Sequence, residues 1–180
     1  MAGAPRPPLP YDFLPPVPGL TVTSDDIAEG QPLSNAHLAD MMGLTGDNLS
    51  PQLRWTGAPP DTQSFAVTCF DPDAPTGSGF WHWVLFDVPA SVSELPRGAG
   101  SGSMKGLPPG ARHARNDVGL PGYVGAAPPP GHGEHRYVFA VHALKVSRLE
   151  VDESATPAFV GFNLTFSTAA RGLLTAVFGR

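Results

Sequence analysis

The chain has 180 residues, 41% of them hydrophobic, with 11 Lys and Arg against 16 Asp and Glu for a formal net charge of −5. That length suits one core, and the scattered basic residues exclude a nonspecific nucleic-acid binder, which needs a basic face to neutralise phosphates. The single Cys69, inside the apolar run S-F-A-V-T-C-F, excludes an internal disulfide and reads as a small buried hydrophobe.

Prolines crowd the opening stretch M-A-G-A-P-R-P-P-L-P-Y-D-F-L-P-P-V-P-G. Each removes a backbone donor, so residues 1–19 are expected to form a flexible Pro-rich arm ahead of a single domain over residues 20–180. Neither this stretch nor any later one has the apolar length of a secretory signal or a membrane span, and the expectation is a soluble, cytoplasmic protein.

After Gly19 short β-rich runs alternate with Gly, Pro, Asn and Asp clusters, the pattern of a mainly antiparallel β domain. Strands are expected at 20–23, 64–70, 82–88 and 135–144. The runs at 64–70 and 135–144 are apolar at nearly every position, which requires cover on both faces and makes them central strands of a sandwich. Helices are few and late. Thr156 and Pro157 fit a cap and a first helical position, and Ser167 or Thr168 is expected to cap a terminal helix whose apolar face is Ala170, Leu173, Leu174 and Val177. The long Gly/Pro loop region at 96–134 holds aromatic, His and Asn residues, which favours a functional role.

Strand parity groups His82 with Val84 and Phe86, and His135 with Tyr137, Phe139 and Val141. Each histidine thus starts a strand whose same-face neighbours are apolar, the layout of a pocket with a polar rim at the end of a sheet. The segment D-P-D-A-P places Asp71 and Asp73 on a stiff turn, and P-P-P-G-H-G delivers its glycines just before His135. Two histidines and a tyrosine hydroxyl are donors suited to an anion's oxygens. Three roles for Asp71 stay open: orienting a histidine, accepting from a protonated ligand oxygen, or receiving a ligand ammonium.

The segments D-P-D-A-P-T-G-S-G-F-W-H-W and P-P-P-G-H-G-E-H-R-Y, with G-D-N-L-S-P-Q-L-R-W at 46–55 and R-N-D-V-G-L-P-G-Y at 115–123, resemble the phosphatidylethanolamine-binding protein family, nearest its bacterial Raf kinase inhibitor-like branch. The resemblance implies an antiparallel β-sandwich with a few peripheral helices, including a C-terminal one. It also implies a pocket for phosphate, phosphoethanolamine, phospholipid head groups or acetate. Carried over, Asp71, His82, Pro129, His135 and Tyr137 become the ligand-binding set, with Asp73, Trp83 and Tyr123 as further candidates. It implies a kinase or protease partner and a homodimer, and with the proline turn it leads to the expectation of a cis Ala74–Pro75 bond.

Rival readings are weaker on the residues. His82 and Asp71 could serve acid–base chemistry in a small phosphate or acyl hydrolase, but no G-x-S-x-G elbow, phosphate loop or dinucleotide fingerprint is present. H-G-E-H at 132–135 is not the helical H-E-x-x-H spacing of zinc enzymes, so neither metal nor cofactor is expected. His132 and His142 read as structural or exposed, and His37 and His113 lie outside the resembling segments.

Overall fold

Residues 6–180 are described by the computed structural model of the chain, and the first five residues of the proline-rich arm lie outside it. The strands are β1 (Thr21–Thr23), β2 (Leu53–Thr56), β3 (Ser64–Asp71), β4 (Phe80–Pro89), β5 (Glu94–Leu95), β6 (Arg112–His113), β7 (Glu134–Leu144) and β8 (Thr168–Gly179), with one α-helix, α1 (Pro157–Ser167). They form a small sheet in the order β1-β2-β5 and a large one in the order β6-β4-β3-β7-β8, with every pair of neighbours antiparallel. The two sheets enclose one core, in which Leu53 and Trp55 of the small sheet meet Phe65, Val67, Leu85 and Phe139 of the large one. Each such side chain contributes roughly 1.5–3 kcal/mol by leaving water.

β3 is buried at all eight positions, and both β3 and β7 are interior strands, as their continuous apolar runs require. The outer face of the large sheet is covered by α1, whose Val160 and Leu164 pack on Ala66, Val84 and Phe86. Thr156 caps that helix by accepting the Phe159 N–H at 3.2 Å, and Pro157 stands at its first position, where a missing N–H costs nothing.

The helix expected beyond Ser167 is not formed. α1 ends there and the chain continues directly as β8, whose 11 registered pairs with β7 run from Thr168 to Gly179. The cap and the helical spacing of Ala170, Leu173, Leu174 and Val177 that suggest a helix give way to a strand in which alternate residues are buried, and Ala170, Gly172, Leu174 and Ala176 face inward. Gly172, a defect in a helix, is needed here: a Cβ on it would stand 2.5 Å from the Leu20 carbonyl oxygen.

The described part of the arm lies along the large sheet. Arg136 donates to the Pro7 carbonyl at 2.6 Å, Arg6 pairs with Glu134 at 3.0 Å, and a short 3-10 turn at Pro10–Phe13 carries Tyr11 to within 3.5 Å of Thr68. No peptide bond among the described residues is cis, so Ala74–Pro75 is trans. The reversal comes instead from the next residues: Thr76 N–H donates to the Ala74 carbonyl at 2.7 Å, its hydroxyl donates to the Gly79 carbonyl, and Gly79 takes a φ of 70°. No helix among the described residues is long and apolar enough to cross a membrane.

Candidate functional site: a cavity at the end of the large sheet

A bulge creates the site. In the β3–β4 ladder Cys69 pairs with Trp83 and Phe70 with Trp81, so His82 is an extra residue with no partner opposite it. Trp81 and Val84 turn to the helix-covered face, whereas Trp83 joins the inter-sheet core and His82 projects on the same side beside Tyr137, ring centroids 5.1 Å apart. The expected grouping of His82 with Val84 and Phe86 is therefore reversed, because parity assumes an unbroken ladder. On β7 no bulge intervenes, and His135, Tyr137, Phe139 and Val141 share one face.

Between these strands lies a cavity of about 250 Å³. Asp71, His82, His135 and Tyr137 line it from the sheet, and Pro129 lines it from the loop before β7. Its mouth is apolar, with Met41, Met42 and Val118 partly exposed. The loops are fixed by side chains from the other two resembling segments. Asn48 accepts the Gly125 N–H at 2.7 Å, and Asn116 accepts the N–H groups of Val118 and Leu120 while donating to the Gly122 carbonyl. Asp117 accepts the Trp81 N–H at 2.8 Å and pins its loop to the strand edge next to His82.

The hydrogen bonds decide what the walls offer. Nδ1 of His82 lies 2.9 Å from the Val124 carbonyl, which only accepts, so that nitrogen carries the proton and Nε2 presents a lone pair. Burial lowers the His82 pKa to about 4, and the ring is neutral at pH 7. Nδ1 of His135 lies 2.7 Å from Asp71 Oδ2, and its Nε2 lies 2.7 Å from Nδ1 of His132. With Asp71 ionised, His135 donates to the carboxylate and accepts from His132. Burial raises the Asp71 carboxyl, an effect that the His135 bond opposes. Both histidine N–H groups expected to face a ligand are thus already given to protein acceptors.

The free donor is Tyr137. Its hydroxyl is buried without a protein partner, and burial together with the Asp71 charge pushes its ionisation far up, so it remains O–H. The nearby cation is Arg180, which donates to the carbonyls of Pro128 and Met42, both at 2.7 Å, and so ties two walls of the cavity together.

Asp71, His82, Pro129, His135 and Tyr137 are therefore brought together, and the three further candidates are not. Asp73 turns away and takes two guanidinium bonds and a backbone N–H from Arg136. Trp83 is in the core, donating to His113 at 3.0 Å, and Tyr123 donates to the His37 carbonyl at 2.8 Å. Asp71 pairs with His135 and not with His82, so the acid–base pair of the hydrolase reading is not made. His132 and Arg180 escape a sequence reading; the three-residue spacing of His132 and His135 across a glycine turn is the one signal that marks the former.

Among known proteins, the family model described as phosphatidylethanolamine-binding protein matches residues 23–179. The chain is 49% identical over 159 residues to the UPF0098 protein YbhB of Escherichia coli, covering 88% of this chain and 99% of that one. It is 45% identical over 157 residues to the UPF0098 protein YbcL of the same organism, covering 87% and 86%. The crystal structure of E. coli YbcL superposes with a TM-score of 0.87 over 89% of this chain and 98% of that one. The chain therefore belongs to the phosphatidylethanolamine-binding protein family, in the bacterial branch that these relatives represent.

Proposed function

We propose that the cavity binds a small oxyanion, inorganic phosphate or the phosphoryl part of a head group, without turning it over. The observation that carries this reading is the Tyr137 hydroxyl, a buried donor with no protein partner beside the His82 ring. Leaving such a donor unpaired costs about 1–3 kcal/mol, and a ligand oxygen recovers it. His82 Nε2 adds an acceptor, so the favoured ligand brings a proton on one oxygen, as a phosphate monoanion does, or His82 takes one up on binding. A fully ionised phosphate would face the Asp71 carboxylate with no compensating imidazolium.

Calorimetric titration with inorganic phosphate and with phosphoethanolamine, in buffers of different ionisation enthalpy, tests this. Binding that is lost in Tyr137→Phe and is linked to proton uptake above the phosphate pKa supports it. Equal affinity in the two proteins rejects it. The proposal extends to a protein partner, a kinase or protease whose surface covers the apolar rim of Met41, Met42 and Val118, with a homodimer as the working unit. Inhibition assays with and without phosphate, on wild type and Met42→Glu, address the partner, and light scattering addresses the dimer.

A further inference from the structure

A second cavity, of about 370 Å³, lies on the opposite face of the large sheet, and nothing in the oxyanion reading uses it. Its floor is Phe70, Trp81 and Val84, one wall is Val160 and Leu164 of α1, and the described part of the proline-rich arm closes it with Tyr11 and Leu14. Pockets of this size and apolar character suit small organic molecules.

One charged group stands in it. The Arg171 guanidinium is half buried, with its Cζ 5.6 Å from the centre of the Tyr11 ring and Nε 3.5 Å from Nδ1 of His142. Among the described residues no carboxylate pairs with it, and its two terminal nitrogens have no hydrogen-bond partner. Of the nine arginines, Arg6, Arg54, Arg97, Arg112, Arg136 and Arg148 reach a carboxylate among the described residues, whereas Arg115, Arg171 and Arg180 do not, and Arg180 is instead satisfied by two backbone carbonyls. His142 supplies no charge, since burial lowers its pKa to about 3, and the same desolvation lowers that of Arg171. A guanidinium with free terminal nitrogens beside an apolar cavity matches the planar, bidentate geometry of a carboxylate.

Gly161 is the second, independent observation. It sits inside α1, where glycine weakens a helix, yet a Cβ there would meet nothing within 4 Å, and the residue lines this cavity. The space beside the helix at this position is therefore unfilled, and a larger side chain there would occupy it.

We propose that this cavity is a second binding site, for an amphipathic organic monocarboxylate whose tail lies on Phe70, Trp81 and Leu164 and whose head is held by Arg171. The proline-rich arm acts as its cover: among the described residues, the Tyr11–Thr68 contact and the pairings of residues 6 and 7 are the hydrogen bonds that tie the arm ahead of Pro18 to the sheet, joined by the Arg171 and His142 contacts of the Tyr11 ring, and the arm forms no ladder there, so it can lift without disturbing a strand.

The test is calorimetric titration of the full chain with octanoate, and separately with 1-octanol as the uncharged control. Octanoate is expected to bind, octanol to bind roughly tenfold more weakly, and Arg171→Gln to lose about the same factor. Gly161→Leu, which favours the helix and so keeps the fold, is expected to abolish octanoate binding while thermal stability holds or rises. Tyr137→Phe is expected to leave octanoate affinity unchanged, which separates this site from the oxyanion cavity. No octanoate binding to wild type, equal affinity for octanol, or unchanged affinity in Arg171→Gln or Gly161→Leu would each overturn the proposal. Loss of octanoate binding in Tyr137→Phe would overturn it too, by locating the ligand in the first cavity.

Discussion

Asp71 Oδ2 stands 2.7 Å from Nδ1 of His135, and neither side chain reaches solvent. The other carboxylate oxygen accepts the Asp73 N–H at 2.8 Å, so Asp71 both closes the turn after β3 and holds the imidazole of β7 in one tautomer. Of the three roles that the sequence leaves open for this acid, orienting a histidine is the one whose contacts are in place. Removing one partner of such a pair strands the other, a loss of about 3–5 kcal/mol when the pair is buried. Asp71→Ala should lose an amount of that order in urea unfolding. Asp71→Asn, which can still accept from His135, should lose about 1–2 kcal/mol. A loss below roughly 0.5 kcal/mol for the alanine variant would show that the pair contributes nothing to the fold.

Tyr137 separates a binding role from a structural one. Its hydroxyl pairs with no protein group, so Tyr137→Phe removes an unsatisfied donor and should leave the ligand-free protein as stable as wild type or more stable, by up to about 1–3 kcal/mol. The same change should lower phosphate affinity about tenfold, the value of one neutral hydrogen bond in a buried site. Thermal melts with and without 10 mM-scale phosphate measure both quantities at once; a destabilised variant with unaltered phosphate response would contradict both.

Sequence patterns carried far where local chemistry and burial agree. The runs at 64–70 and 135–144 can only be interior strands, because each residue in them needs cover, and the Thr156–Pro157 start of α1 follows from capping alone. They fail where a tertiary contact decides. The segment from Thr168 presents both a helical and an alternating pattern, and pairing with β7 along its whole length chooses the second. The orientation of His82 depends on one inserted residue in a ladder, which leaves no compositional mark. His132 is marked only by its three-residue spacing from His135, whereas Arg180 enters the site region through chain closure over long separations, and no local spacing encodes its contacts with Met42 and Pro128.

Three buried imidazoles give the stability a definite pH dependence. Burial lowers His82 and His113 to about 4 and His142 to about 3, against 6.5 for the unburied ring. A folded value below the unfolded one means that stability is fully present above pH 6.5. It falls as the pH drops toward 4, where the unfolded chain takes up protons that the folded chain refuses. Each ring contributes a loss of roughly 3 kcal/mol over that interval. Asp71 acts in the opposite sense, since its raised carboxyl binds a proton more readily when folded, and it offsets part of the loss. Urea midpoints at pH 7, 5.5 and 4.5 should decline steadily, and His142→Gln should flatten the decline. A midpoint that is level across the range would mean that these rings are not held neutral.

Gly125 is where the wall of the first cavity is most tightly specified. A Cβ there would lie 2.3 Å from the Leu38 carbonyl carbon and 2.4 Å from the Ala39 nitrogen, both backbone atoms that cannot rotate away. The crowding arises because residues 37–39 and 126 exchange backbone hydrogen bonds across that point, Ala39 N–H to the Ala126 carbonyl at 3.0 Å and Ala126 N–H to the His37 carbonyl at 3.1 Å. Gly125→Ala must therefore spread this pairing and move Val124, whose carbonyl fixes the His82 tautomer. We expect a loss of about 2–4 kcal/mol in urea unfolding together with weakened phosphate binding. The control is Gly77→Ala, where an added Cβ meets nothing within 4 Å and the backbone is not left-handed, so the change should stay within roughly 0.5 kcal/mol. If both variants behave alike, the close approach of the two loops does not shape the site.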